Sequence, residues 1–228
     1  MTSTARLLLT AAIALGSANA SVSQEHVRRG DREYLTWTRD RAESVGRAMR
    51  VNGRVGGAFD LRVLHTEHSY NYKLRATWLS PEVIRATARL AQLSDGLTDD
   101  QTEALVGEAE QSGDIILLIE IDPREGSGVI PLDWVALLQP KGSSDDAPGT
   151  IRGESVPSLR AVRALSGVFR RDYNYERFWV VFRARGDRAI RLLASGVTEA
   201  ELVVRILNKD GRVTWRIPES VKALMLAQ

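Results

Sequence analysis

The sequence predicts an α+β fold: a two-layer antiparallel β core, sandwich-like, of about eight strands, with two or three helices inserted after the first hairpin and an N-terminal helix. Three observations carry this reading. Apolar residues recur with period two in segment after segment, as in strands with one covered face. Most of these segments lie close enough along the chain to pair as hairpins, which favours antiparallel sheet over crossover connections. The long interruption between residues 80 and 112 instead has helical spacing, with a helix-start signal for each of two segments.

From the N-terminal side, Tyr34, Trp37, Ala42, Val45 and Met49 fall at near-helical intervals, predicting a helix over residues 24–50 that Asn52 and Gly53 stop. Alternation then begins with Phe59, Leu61 and Val63 and resumes with Tyr70, Tyr72, Leu74 and Ala76, a strand pair joined near residues 65–69. Ser80-Pro81-Glu82 supplies a capping hydroxyl, a proline at the first helical position and an acid in the first turn. Thr98 and Gln101 have capping-box spacing for the next helix, which Gly113 ends. Residues 115–121 (IILLIEI) are apolar almost throughout, as in a strand buried on both faces.

Residues 134–139 form another short strand, and 141–150 (KGSSDDAPGT) read as a surface loop. A short helix is expected over 157–165. Strands follow over 175–183, 189–193, 201–207 and 212–217, and Asp210-Gly211 supplies the positive-φ positions of the last hairpin.

Composition narrows the function classes. The chain has 228 residues, 43% hydrophobic and 26% charged, which excludes a disordered or collagenous chain. Lys plus Arg number 31 against 29 for Asp plus Glu, so no strong field points to nucleic acid. Cysteine is missing, which removes disulfides, thiol catalysis and cysteine-ligated metals.

The first twenty residues have the three parts of a secretory signal. A basic start with Arg6 precedes the apolar run LLLTAAIAL, and Ala18 and Ala20 provide small residues for cleavage after Ala20. The run is too short to span a bilayer, which takes about 20 apolar residues. The expected organisation is a cleaved signal over 1–20, a charged helical leader over 21–54 and a single globular domain over 55–228. Export by the general secretory route to the periplasm or beyond follows, with no membrane span after signal removal.

Two constellations carry candidate chemistry. His65, Glu67 and His68 place two imidazoles and a carboxylate within four residues, a donor set for zinc or another divalent ion; solvated loop histidines are the plainer reading. Four of the five tyrosines form two copies of Tyr-Asn-Tyr: Tyr70 with Tyr72, and Tyr173 with Tyr175. Exposed rings flanking an amide would make a platform for a sugar or an extended peptide, whereas cross-strand packing would bury them. The acids Glu120, Asp122 and Glu125 invite a glycosidase reading, but pairing of Glu120 with one of the many arginines is simpler. Gly126-Ser127-Gly128 lacks the spacing of a nucleophile elbow, and no glycine-rich phosphate loop is present.

The motifs point to no characterised family. They favour a non-enzymatic binding or envelope-scaffold domain without a cofactor, whose partner is an unidentified protein or glycan. The alternatives are a metal-dependent hydrolase built on His65, Glu67 and His68, and a carbohydrate or peptide binder built on the tyrosines.

Overall fold

The computed structural model describes residues 32–55, 72–123, 130–168, 175–183, 192 and 196–226. By its internal contacts the chain divides into units Met1–Thr38 and Arg39–Gln228. The described part of the first unit is a single 3-10 turn, Glu33–Thr36, in which the Thr36 hydroxyl donates to the Glu33 carbonyl.

The second unit is α+β, with two antiparallel sheets and four helices among its described residues. Helix α1 is Arg39–Ala48, α2 Pro81–Asp95, α3 Asp99–Glu110 and α4 Glu219–Leu226. The strands are β1 Arg50–Val55, β2 Tyr72–Trp78, β3 Ile115–Pro123, β4 Val135–Pro140, β5 Ile151–Arg152, β6 Glu154–Ser155, β7 Glu176–Phe182, β8 Glu199–Ile206 and β9 Lys209–Arg216. One sheet runs β1-β2-β3-β7-β6 and the other β5-β4-β8-β9. Every pairing is antiparallel.

Period-two alternation decides which side chains enter the core between the sheets. Leu74, Ala76 and Trp78 of β2, Ile115 to Ile121 in alternate positions of β3, and Val180 and Phe182 of β7 face Leu138, Leu202, Val204, Val213 and Trp215 of the second sheet. Trp78 and Trp215 meet edge-to-face, ring centroids 5.8 Å apart. As the unbroken apolar run predicts, β3 is buried on both faces, and so is the end of β7. The segment 157–167 packs on the outer side there, where the Trp179 indole donates to the Leu165 carbonyl at 2.7 Å and Gly167 lies beside Leu118.

The sandwich is closed at both edges. At one, β5 hands the chain to β6 through Gly153, so the same segment passes from the second sheet to the first; a Cβ on Gly153 would lie 2.4 Å from Val180. At the other, β1 runs against β9. The Met49 carbonyl there accepts both the Trp78 backbone N–H and the Trp215 indole N–H. Tyr72 reaches across to donate its hydroxyl to the Val204 carbonyl at 2.7 Å, directly over Gly211, where a Cβ would sit 2.7 Å from that oxygen.

Several expected boundaries shift. The helix expected over 24–50 is, among described residues, a 3-10 turn, an extended Trp37 and then α1. Asn52 and Gly53 do not stop a helix: they lie in β1, opposite Arg75 and Leu74. The described partner of β2 is therefore β1, and the strand expected at Phe59, Leu61 and Val63 lies outside the described residues. Residues 157–165 form two 3-10 turns, Pro157–Ala161 and Arg163–Leu165. Of residues 189–193 only Leu192 is described, buried in the core.

The last hairpin turns two residues earlier than expected. Ile206 pairs with Lys209, so the loop is Leu207-Asn208, and Leu207 takes the positive φ of 52°. Gly211 is absent from the loop because the Tyr72 hydroxyl needs its bare Cα in the strand. Pro81 starts α2 as expected, but the Ser80 hydroxyl at its N-cap makes no capping hydrogen bond; Thr98 with Gln101 forms the complete capping box expected for α3.

Two substitutions are expected to act in opposite senses. Gly211→Ala forces a methyl against the Tyr72 hydroxyl and should cost about 1–3 kcal/mol of unfolding free energy. Leu207→Gly relieves an L-residue held at positive φ and should leave stability unchanged or raise it by up to ~1 kcal/mol. Urea midpoints at constant slope read both.

Candidate functional site

A cleft forms where β2 gives way to α2, where α3 gives way to β3, and where α4 packs beside them. Its volume is about 250 Å³. Three sequence features shape it. Pro81 starts α2 without needing a backbone donor, so the chain turns sharply off the strand. The Leu79 N–H still donates to the Ile116 carbonyl at 2.9 Å, which keeps the first residue past β2 in the sheet. Gly113 makes the tight return into β3: a Cβ there would lie 2.8 Å from Val181.

The walls are mainly apolar. Leu79 and Ile116 come from the sheet, Pro81 and Ile84 from α2, and Ala109 from α3. The polar lining is Arg85 of α2, Glu110 of α3, Asp114 beside β3 and Ser220 of α4. An ion pair at 3.4 Å links Arg85 to Glu110, tying α2 to α3 at the rim. Ser220 differs in kind. Its Oγ is buried and has no hydrogen-bond partner among the described residues. Ser80, between the lining residues Leu79 and Pro81, holds a second such hydroxyl. A cleft with apolar walls and few polar groups suits a small organic guest.

Of the residues singled out from sequence, His65, Glu67, His68, Tyr70 and Tyr173 lie outside the described residues. Tyr72 is wholly buried, and its hydroxyl is engaged by Val204. It therefore has no face to present to a sugar or peptide; the inward pleat of β2 makes it a core residue. Tyr175 is half-buried, and the Arg75 guanidinium stacks on its ring with Cζ 4.3 Å from the centroid.

That arginine belongs to a charged row on the outer face of the first sheet. Asn52, Arg75, Glu120 and Arg177 are register neighbours on β1, β2, β3 and β7. The Glu120 side chain, only 2% exposed, receives Arg177 Nε at 3.0 Å and has Arg75 at 3.8 Å. Glu120 is thus paired with arginines as expected, within the buried strand β3. Asp122 pairs with Lys73 in the next row. Burial first, and then the neighbouring Arg75, hold the Arg50 guanidinium below its ordinary value, with Glu120 and Tyr175 acting in the opposite sense.

The second sheet carries its own network. Arg205 makes a two-pronged pair with Asp210 at 2.7 Å and reaches Asp145 at 2.7 Å, pinning the 141–150 loop to the sheet. Hydrogen bonds from Arg205 hold the Asp210 carboxyl below its usual range against the opposing effect of burial. The residues of the cleft itself are not marked by any motif. They come from three separate stretches of the chain, 79–85, 109–116 and Ser220, and the local signs are Ser80-Pro81 and Gly113-Asp114, the two corners where helix meets strand.

Removing one partner of the buried row leaves two guanidiniums uncompensated, so Glu120→Ala should cost about 3 kcal/mol or more in urea unfolding. Asp210 adds a pH dependence. Its carboxyl is depressed in the folded chain, so its contribution is complete above the unfolded value near 3.9 and fades as pH falls through the folded one. The loss of stability below about pH 4 should therefore be shallower in Asp210→Asn, as read by thermal melts from pH 7 to pH 2.5. Compared with protein-family models, curated proteins and solved structures, the chain matches none of them.

Proposed function

We propose that this chain is an exported, non-enzymatic binding domain that holds a small, mainly apolar molecule in the cleft between α2, the α3–β3 corner and α4. The observation that carries the reading is the cleft: about 250 Å³ with apolar walls on two sheet strands and two helices. Rigid elements rather than loops hold those walls, and a preformed apolar pocket costs little ordering when it fills. The Arg85–Glu110 pair closes the rim with charges that compensate each other. Export rests on the basic start, the nine-residue apolar run and the Ala18–Ala20 cleavage pattern.

The test uses toluene as a probe on the mature chain, followed by amide chemical shifts. Millimolar or tighter binding is expected. The shifts should be confined to α2, residues 113–116 and α4, and should be lost in Ile84→Phe, which fills the cleft. Shifts spread over the whole molecule, or unaltered by Ile84→Phe, would overturn the assignment. Expression with the native N-terminus should yield a mature protein whose first residue is Ser21, read by intact mass.

A further inference from the structure

We infer that the guest of this cleft is electrically neutral, carries one hydrogen-bonding group on an apolar body of about ten non-hydrogen atoms, and gives that group to Ser220. The inference rests on the binding reading above and adds the ligand class. Size follows from volume: an apolar cavity of about 150 Å³ accommodates benzene, so 250 Å³ takes roughly ten non-hydrogen atoms.

Neutrality follows from the charges on the rim. Arg85 and Glu110 already form an ion pair across the mouth. A charged guest entering against Ile84 and Ile116 would lose its hydration to apolar walls, and to gain a counter-ion it would have to break that pair or draw Asp114, the remaining charged residue of the lining, from its own interactions. A hydroxyl, amide or carbonyl group carries no such penalty.

The hydrogen-bonding group follows from Ser220. A buried hydroxyl left without a partner destabilises a protein, so its presence in the wall of a cavity calls for a second role. Serine has a single χ1 torsion, and one staggered step relocates Oγ without moving the helix. The same hydroxyl can donate or accept, which suits an alcohol and a carbonyl alike. Ser220 is thus the uncharged side chain that reads polarity in this site, at a cost to the empty protein.

The experiment compares three probes that share a phenylpropyl body, namely 3-phenylpropan-1-ol, 3-phenylpropylammonium and 3-phenylpropanoate, with toluene as the control for the cleft. Against the mature chain at pH 7 the alcohol should bind about fivefold or more tighter than either ion. Ser220→Ala should weaken the alcohol by roughly three- to tenfold and leave toluene unchanged. It should also raise the Tm of the empty protein by about 2 °C, because a buried unsatisfied hydroxyl is gone. A purely structural serine would lower the Tm instead. Preference for either ion, with toluene still bound, would overturn the ligand class alone. Equal alcohol affinity in Ser220→Ala would overturn the role of Ser220. Failure of all four probes, toluene included, would overturn the cleft reading and this inference together.

Discussion

The closure of the sandwich along β1 and β9 depends on one close contact, the Tyr72 hydroxyl lying over Gly211 and donating to the Val204 carbonyl. A buried phenol must find a partner, and the one it finds belongs to the opposite sheet. The sheet separation at this edge is therefore set by the length of a tyrosine. Gly53 and Gly211 are the residues that let β1 and β9 approach that closely: a Cβ on Gly53 would fall 2.9 Å from Val213. At the opposite edge the chain itself is the closure, through Gly153.

This closed core explains where the cleft lies. The first sheet is packed on its inner side by the second sheet; on its outer side Leu118 and Trp179 meet residues 165–167, and Ile116 lines the cleft with α2 and α3. The remainder of the outer face carries the Asn52–Arg75–Glu120–Arg177 row, which lies at the other end of β2 and β3 from the cleft. Helix α2 springs from the end of β2, and α3 returns into the start of β3, so two helix–strand corners meet side by side. Corners pack less tightly than straight elements, and α4 arrives beside them rather than filling the gap. The cavity is a product of topology, not of any local sequence signal.

The same distinction separates what the sequence makes legible from what it hides. β3 is readable because burial on two faces leaves no polar position in residues 115–119. α2 and α3 are readable because a first-turn proline and a capping box are each decided by residues adjacent in sequence. Glycine misleads. Gly53 resembles a helix stop and Gly211 a turn, yet both answer to a strand of the other sheet more than a hundred residues away. Leu207 then occupies a turn position that Gly211 would have filled more comfortably. The tyrosines mislead in a related way: identical Tyr-Asn-Tyr copies give Tyr72 to the core and Tyr175 to a stack with Arg75, because surroundings and not the tripeptide decide exposure.

Two buried polar groups finally show how structural and functional burial differ. Glu120 is removed from solvent, but two arginines in register meet its oxygens; every member of that row is explained by the stability of the sheet. The Ser220 Oγ is removed from solvent and has no hydrogen-bond partner among the described residues, while the residue forms part of a cavity wall. An alanine there would be the more stable choice on folding grounds alone. A residue that folding does not favour, placed in the wall of a mainly apolar recess, is where selection for a ligand would leave its trace. That contrast, more than the recess by itself, is why the cleft and not the charged row is the better candidate for the site of function.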